Sequence, residues 1–175
     1  MSTANANANM SMSPGAKSRM RTTERVVLRY YNDMGKDRGH CTYGAGILAH
    51  RGVCTKEELE RKVSAAEVDA IFDRKVAEAE RAVRRNVSTA LTQAQFDALV
   101  SLTFNAGPVG SKDTYEFVNR NDMAGAAANI QEMIKVKVKT KTGTKKVVAR
   151  GLIKRRAEES APFREATTDS VTASK

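Results

Sequence analysis

The stretch Glu24-Arg25-Val26-Val27-Leu28-Arg29-Tyr30-Tyr31-Asn32-Asp33-Met34-Gly35-Lys36-Asp37-Arg38-Gly39-His40-Cys41-Thr42-Tyr43-Gly44-Ala45-Gly46 changes character in its middle. Val26, Val27 and Tyr30 share one face of a helix predicted from about Arg21 to Tyr30. From Tyr31 to Gly52 the text is punctuated by Asn32-Asp33, Gly35, Gly39, Gly44 and Gly46, while Thr42, Tyr43 and Ile47 favour extended backbone. The stretch therefore predicts a short helix feeding a small, turn-rich β region. Two carboxylates flank that junction: Glu24 on the helix, and Asp33 nine positions on. The turn between them can bring both to one side of a cleft, an arrangement suited to general acid/base work. Twenty acidic residues supply many such pairs, so spacing alone does not select this one from solvated surface carboxylates.

Downstream the text is helical. Thr55-Lys56-Glu57-Glu58 is a capping box opening a short helix. Ser64-Ala65-Ala66-Glu67 is a second, opening a long helix to about Asn86 with Val68, Ile71, Phe72, Val76, Ala79 and Val83 on its apolar face. Thr92-Gln93-Ala94-Gln95 is a third, leading into an apolar helix that stops at Asn105-Ala106-Gly107-Pro108. Further helices are predicted over about 113–120 and 123–134, and from Gly151 to about Glu165. Between the last two, Lys alternates with Val or Thr around Thr142-Gly143, which predicts a hairpin with one charged face and one buried face. The fold class is α+β, mainly helical: a small β-containing lobe at about 21–63, a connecting helix at about 64–86, and a helical lobe at about 87–166. Residues 1–20 and 167–175 read as flexible tails.

With 41% hydrophobic and 29% charged residues among 175, the composition is that of a soluble globular domain. A net charge of +10 implies an anionic partner: nucleic acid, anionic lipid or an acidic wall polymer. No apolar run approaches the length of a membrane span. Met1 to Met20 is rich in Ser, Ala and Asn and lacks the apolar stretch of a secretory signal, so synthesis in the cytoplasm without signal or anchor is expected. Cys41 and Cys54, flanked by His40 and His50, leave three readings. These are a disulfide contributing about 3 kcal/mol in an oxidising compartment, two buried thiols, or a Cys/His metal cluster. The cluster lacks the spacing of a structural zinc site, and no metal or other cofactor is expected.

Glu24-x8-Asp33, followed by the Thr42-x-Gly44-x-Gly46 strand, resembles the catalytic signature of T4-type phage lysozymes, glycoside hydrolase family 24. Leu91-Thr92-Gln93-x-Gln95-Phe96 through Phe104-Asn105-x-Gly107 resembles that family's helix into the cleft. Gly151-Leu152-x-x-Arg155-Arg156-x-x-Glu159 resembles its C-terminal motif. The similarity spans about residues 21–165. It implies a lysozyme-like two-lobed fold and an endolysin muramidase, cutting the β-1,4 bond between N-acetylmuramic acid and N-acetylglucosamine of peptidoglycan. Carried over, Glu24 is the general acid, Asp33 orients or activates water or stabilises the cationic transition state, and Thr42 holds the attacking water. The resemblance also implies inverting, single-displacement chemistry. Leu48, Phe104, Asn105 and Arg155 take substrate-binding positions, Arg155 as the arginine beside the catalytic Glu. Paired cysteines at positions 41 and 54 occur in one branch of the family.

The departures are specific. Asp33 and Thr42 are separated by eight residues where the family has five, as if Lys36-Asp37-Arg38 were inserted, so Asp37 rivals Asp33 as second carboxylate. Ile47 stands where the family often has His, and the chain has no Trp for sugar stacking. The basic segment of about 135–156 is a candidate for binding an anionic outer-membrane surface. Its hairpin lacks the interleaved aromatics of a nucleic-acid binder, and no specific nucleic acid is expected. A lytic transglycosylase, a non-catalytic wall binder and a nucleic-acid binder are the rival classes. The resemblance further implies a monomer released to the periplasmic wall through a phage pore.

Overall fold

Pro14 opens the first helix, α1 (Pro14–Thr23), at the position where a missing N–H costs nothing. The Ser13 hydroxyl accepts from the Ala16 N–H at 3.3 Å and caps it. The computed structural model describes residues 5–23, 27–44, 46–140 and 142–172. They fall into two compact units: Ser13–Ala77, and Met1–Met12 with Glu78–Lys175. The boundary falls inside α3 (Ala65–Asn86), the helix expected to connect two lobes. No helix among the described residues is long and apolar enough to cross a membrane.

In the first unit α1 buries Ala16 and Met20, and Lys17 and Arg21 pair with Asp73 and Asp69 on α3. Val27–Tyr30, expected as the end of a helix, is instead part of strand β1 (Val27–Asn32). A β-branched and aromatic run fits either period, and its long-range partners decide. Tyr30, Tyr31 and Asn32 pair antiparallel with Tyr43, Thr42 and Cys41 of β2 (Cys41–Gly44), and Thr42 pairs onward with Leu48 of β3 (Ile47–His50). Tyr30 and Tyr43 stack across the first pair, ring centroids 5.0 Å apart. Gly44 has φ +59°, and a Cβ there would stand 3.1 and 3.2 Å from the two Val68 methyls, so α3 rests directly on β2. The expected capping boxes close as read. Thr55 and Glu58 exchange bonds at the start of α2 (Lys56–Glu60), and Ser64 and Glu67 do so at the start of α3.

In the second unit, residues 5–12 are not the free tail expected of them. The Asn7 side chain is fully buried: its amide donates to Val87 O at 3.1 Å and Thr89 O at 2.9 Å, and its carbonyl accepts from Leu91 N at 3.0 Å. One side chain thereby satisfies three backbone groups that leave the helical ladder where α3 ends. Nearby, the Met12 N–H donates to Glu80 and Arg84 donates to Met10 O. Helix α4 (Gln93–Gly110) follows a reciprocal Thr92–Gln95 cap and breaks at Gly107 (φ 76°, ψ 165°), just before Pro108. It packs with α5 (Lys112–Asn119), α6 (Met123–Glu132) and α7 (Arg150–Thr172) around Phe96, Leu99, Leu102, Val118, Ile130 and Phe163, all fully buried. Residues 167–172, expected as tail, continue α7, because after Pro162 nothing in the sequence stops a helix. The hairpin forms as β4 (Lys135–Thr140) and β5 (Gly143–Val148), but its expected buried face is open: Val136 and Val138 are 40% and 37% exposed. Alternation sets which residues share a face, not whether anything covers it.

Candidate active site

The connection from β1 to β2 carries Asp33 and Asp37, and Thr42 follows it on β2. Asp33 follows β1, and its Oδ1 accepts the His40 N–H at 2.7 Å while its own N–H donates to His40 O at 3.1 Å. The Thr42 hydroxyl donates to the same His40 carbonyl at 3.1 Å. One peptide segment thus ties Asp33 to Thr42 across the enlarged loop. The Asp33 carboxylate is exposed, and its Oδ2 has no hydrogen-bond partner among the described residues. Thr42 is buried, and its lone pairs stay available because its proton is committed to His40. The His40 ring is fixed too: Nδ1 accepts from Gly52 N at 3.0 Å. Asp37 shares the exposure of Asp33 but not its anchor. It sits in the turn with φ +56°, exposed, and has no hydrogen bond or ion pair among the described residues. Glu24 lies outside the described residues, as do Arg25 and Val26.

Cys41 and Cys54 are bridged, fastening the start of β2 to the segment before α2. Of the three sequence readings this is the disulfide. The Cys41 sulfur, His50 and Glu58 lie within 4.8 Å of one another, the layout of a metal cluster. The bridged sulfur has no thiolate to offer, and His50 Nε2 is already 2.9 Å from a Glu58 oxygen. That hydrogen bond, with Arg51 O on Nδ1, raises the His50 pKa. The Thr55 backbone N–H, then His50, lowers that of Glu58.

The second unit holds another part of the expected set. Phe104, half-buried, and Asn105, exposed, lie in the last turn of α4 before the Gly107 break. Arg156 is 2% exposed, and its guanidinium donates to Asn105 Oδ1, to Glu159 Oε2 at 2.6 Å and to Met133 O at 3.0 Å. A guanidinium only donates, so the Asn105 amide must turn its carbonyl inward and its NH2 outward. Arg155, the expected arginine, bonds Glu159 Oε1 at 3.1 Å and Ser101 O at 3.3 Å. In the sequence Arg156 and Glu159 stand only as letters of the C-terminal motif, with nothing local to show this role beyond their spacing of three on a helix. Leu48, on β3 opposite Thr42, is 51% exposed.

Residues 21–159 match a family model described as phage lysozyme. An endolysin of Acyrthosiphon pisum secondary endosymbiont phage 1 is 27% identical over 143 residues, covering 81% of this chain and 94% of that one. The endolysin from Escherichia coli O157:H7 phage FAHEc1 has a similar structure, with a TM-score of 0.72 at 27% identity over 91% of this chain and 96% of that one. The muramidase domain of SpmX from Asticaccaulis excentricus gives a TM-score of 0.67, also at 27% identity, over 89% of this chain and 98% of that domain.

Proposed function

The chain belongs to the phage lysozyme family, and from that premise we propose that Glu24 is the general acid and Asp33 the water-directing carboxylate of its glycosidase site. As a lysozyme of endolysin type it is a glycoside hydrolase that lyses peptidoglycan. In our reading the scissile bond is the β-1,4 link between N-acetylmuramic acid and N-acetylglucosamine. Glu24 protonates the leaving oxygen. A water held by Asp33 Oδ2 and the Thr42 hydroxyl attacks the opposite sugar face, and the configuration inverts.

The observation that carries this reading is the shared anchor of Asp33 and Thr42 on His40. It fixes two acceptors on one backbone segment, which is what positioning a nucleophilic water requires. Leu48, Phe104, Asn105 and Arg155 are the sugar-binding set. Asn105 presents amide hydrogens suited to an acetamido or hydroxyl oxygen, and Leu48 an apolar surface suited to a pyranose face. The protein acts as a monomer, reaching the periplasmic wall through a phage-encoded pore, and specific nucleic-acid binding is no part of its role. Its basic segment adds affinity for an anionic outer-membrane surface.

Product analysis of purified peptidoglycan tests the chemistry. New reducing N-acetylmuramic acid ends, released first as the α anomer, are expected. A 1,6-anhydro end would make the protein a lytic transglycosylase, and an undigested wall would leave binding alone.

A further inference from the structure

The charge of this chain is concentrated in one place. Between Met133 and Ala157 there are ten basic residues and no acidic one, so this segment carries the whole net charge of +10 and the rest of the chain is electroneutral. The β4–β5 hairpin lies at its centre. Lys137 is the direct cross-strand partner of Lys146, a like-charge pairing that weakens a hairpin. None of Lys135, Lys137, Lys145 and Lys146 has an ion-pair partner among the described residues. The register puts Lys135, Lys137 and Lys146, with Val148, on one face and Val136, Val138 and Val147, with Lys145 opposite Val138, on the other. Both faces are open, with Val136 and Val138 more than a third exposed.

We propose that the β4–β5 hairpin is a docking element for an anionic lipid bilayer, lying in the membrane interface with its valine face toward the acyl chains and its lysines among the headgroup phosphates. Charge complementarity calls for a polyanion, and the valines select which kind. A soluble polyanion engages the lysines and leaves the valines in water. The hairpin also offers no aromatic ring for a nucleic-acid base to stack on. A bilayer interface takes both faces at once, as it does with amphipathic helices, and relieves the Lys137–Lys146 repulsion. This inference rests on and deepens the membrane affinity proposed above for the basic segment, and it is independent of the glycosidase assignment, since none of these residues belongs to the proposed catalytic set.

Co-sedimentation of the full chain with vesicles tests it. The wild-type protein is expected to bind vesicles of phosphatidylglycerol mixed with phosphatidylcholine and to ignore phosphatidylcholine alone. Lys137→Thr with Lys146→Thr should lower partitioning about 25-fold, about fivefold for each lysine. Val136→Thr with Val138→Thr, which keeps strand propensity, should abolish the binding that survives high salt in the wild type. Both variants should digest lipid-free peptidoglycan at the wild-type rate, which also reports that they fold. Failure of the wild type to bind anionic vesicles would overturn the proposal. So would wild-type binding by the valine variant at all salt concentrations with full competition by soluble polyphosphate. Loss of wall digestion in either folded variant, judged by circular dichroism, would instead make the hairpin part of the wall site and equally overturn it.

Discussion

Gly39 shows how tightly the loop is drawn around its carboxylate. Its φ is +86°, and a Cβ there would overlap Asp33 Oδ1 and the Met34 side chain, so only glycine lets His40 reach the Asp33 oxygen. Asp33 therefore has one oxygen committed to the backbone and one facing solvent, while Asp37 is a turn residue with no partner among the described residues. Asp33→Asn should leave the fold intact, because an amide oxygen still accepts from His40. It should cut lysis by about a hundredfold or more through loss of the acceptor facing the water. Asp37→Asn should cost less than about twofold, since asparagine tolerates the left-handed backbone there. Turbidity assays on both variants, with melting curves as fold controls, check the ranking, and the reverse order would move the second carboxylate to Asp37.

At the scale of elements, the three-stranded sheet is held from the side by the Cys41–Cys54 bridge and the His50–Glu58 pair. The pair has a defined pH window. Glu58 bonding raises the His50 pKa, so its contribution is full below the unfolded value of about 6.5 and is lost as pH rises through the folded value. The Thr55 N–H and His50 lower the Glu58 pKa, so its contribution is present above its unfolded value and fades as pH falls through the folded one. Both groups are partly open to solvent, so the effect is modest. Wild type should melt above His50→Gln at about pH 5.5 and coincide with it by about pH 9. An equal gap at both pH values would show that the imidazole acts through packing, without its charge.

At the scale of the whole molecule, what was legible in the sequence follows the range of the interactions. The caps at Thr55, Ser64 and Thr92 are reciprocal bonds between residues three apart, so the sequence displays both partners together. Strand β1 reads locally as the end of a helix because Val27–Tyr30 fits two periods, and its partners Thr42 and Tyr43 lie beyond the loop. The ordered 5–12 segment left no local trace, since the backbone groups that Asn7 satisfies lie some eighty residues away. The open hairpin face was unreadable for a similar reason, because cover is a property of neighbours. The candidate site was legible in its residue types and order through family resemblance. The His40 anchor and the Arg156 hold on Asn105 are main-chain and side-chain geometry that no spacing displays. The central claim, that this phage lysozyme cuts peptidoglycan with Glu24 as its acid, is tested most directly by Glu24→Gln, assayed on purified peptidoglycan with mass analysis of the products. The account predicts a folded protein whose release of reducing ends falls by at least about a hundredfold. Retention of more than about a tenth of the wild-type rate would contradict it, since a positioned general acid contributes about 10²–10⁴-fold.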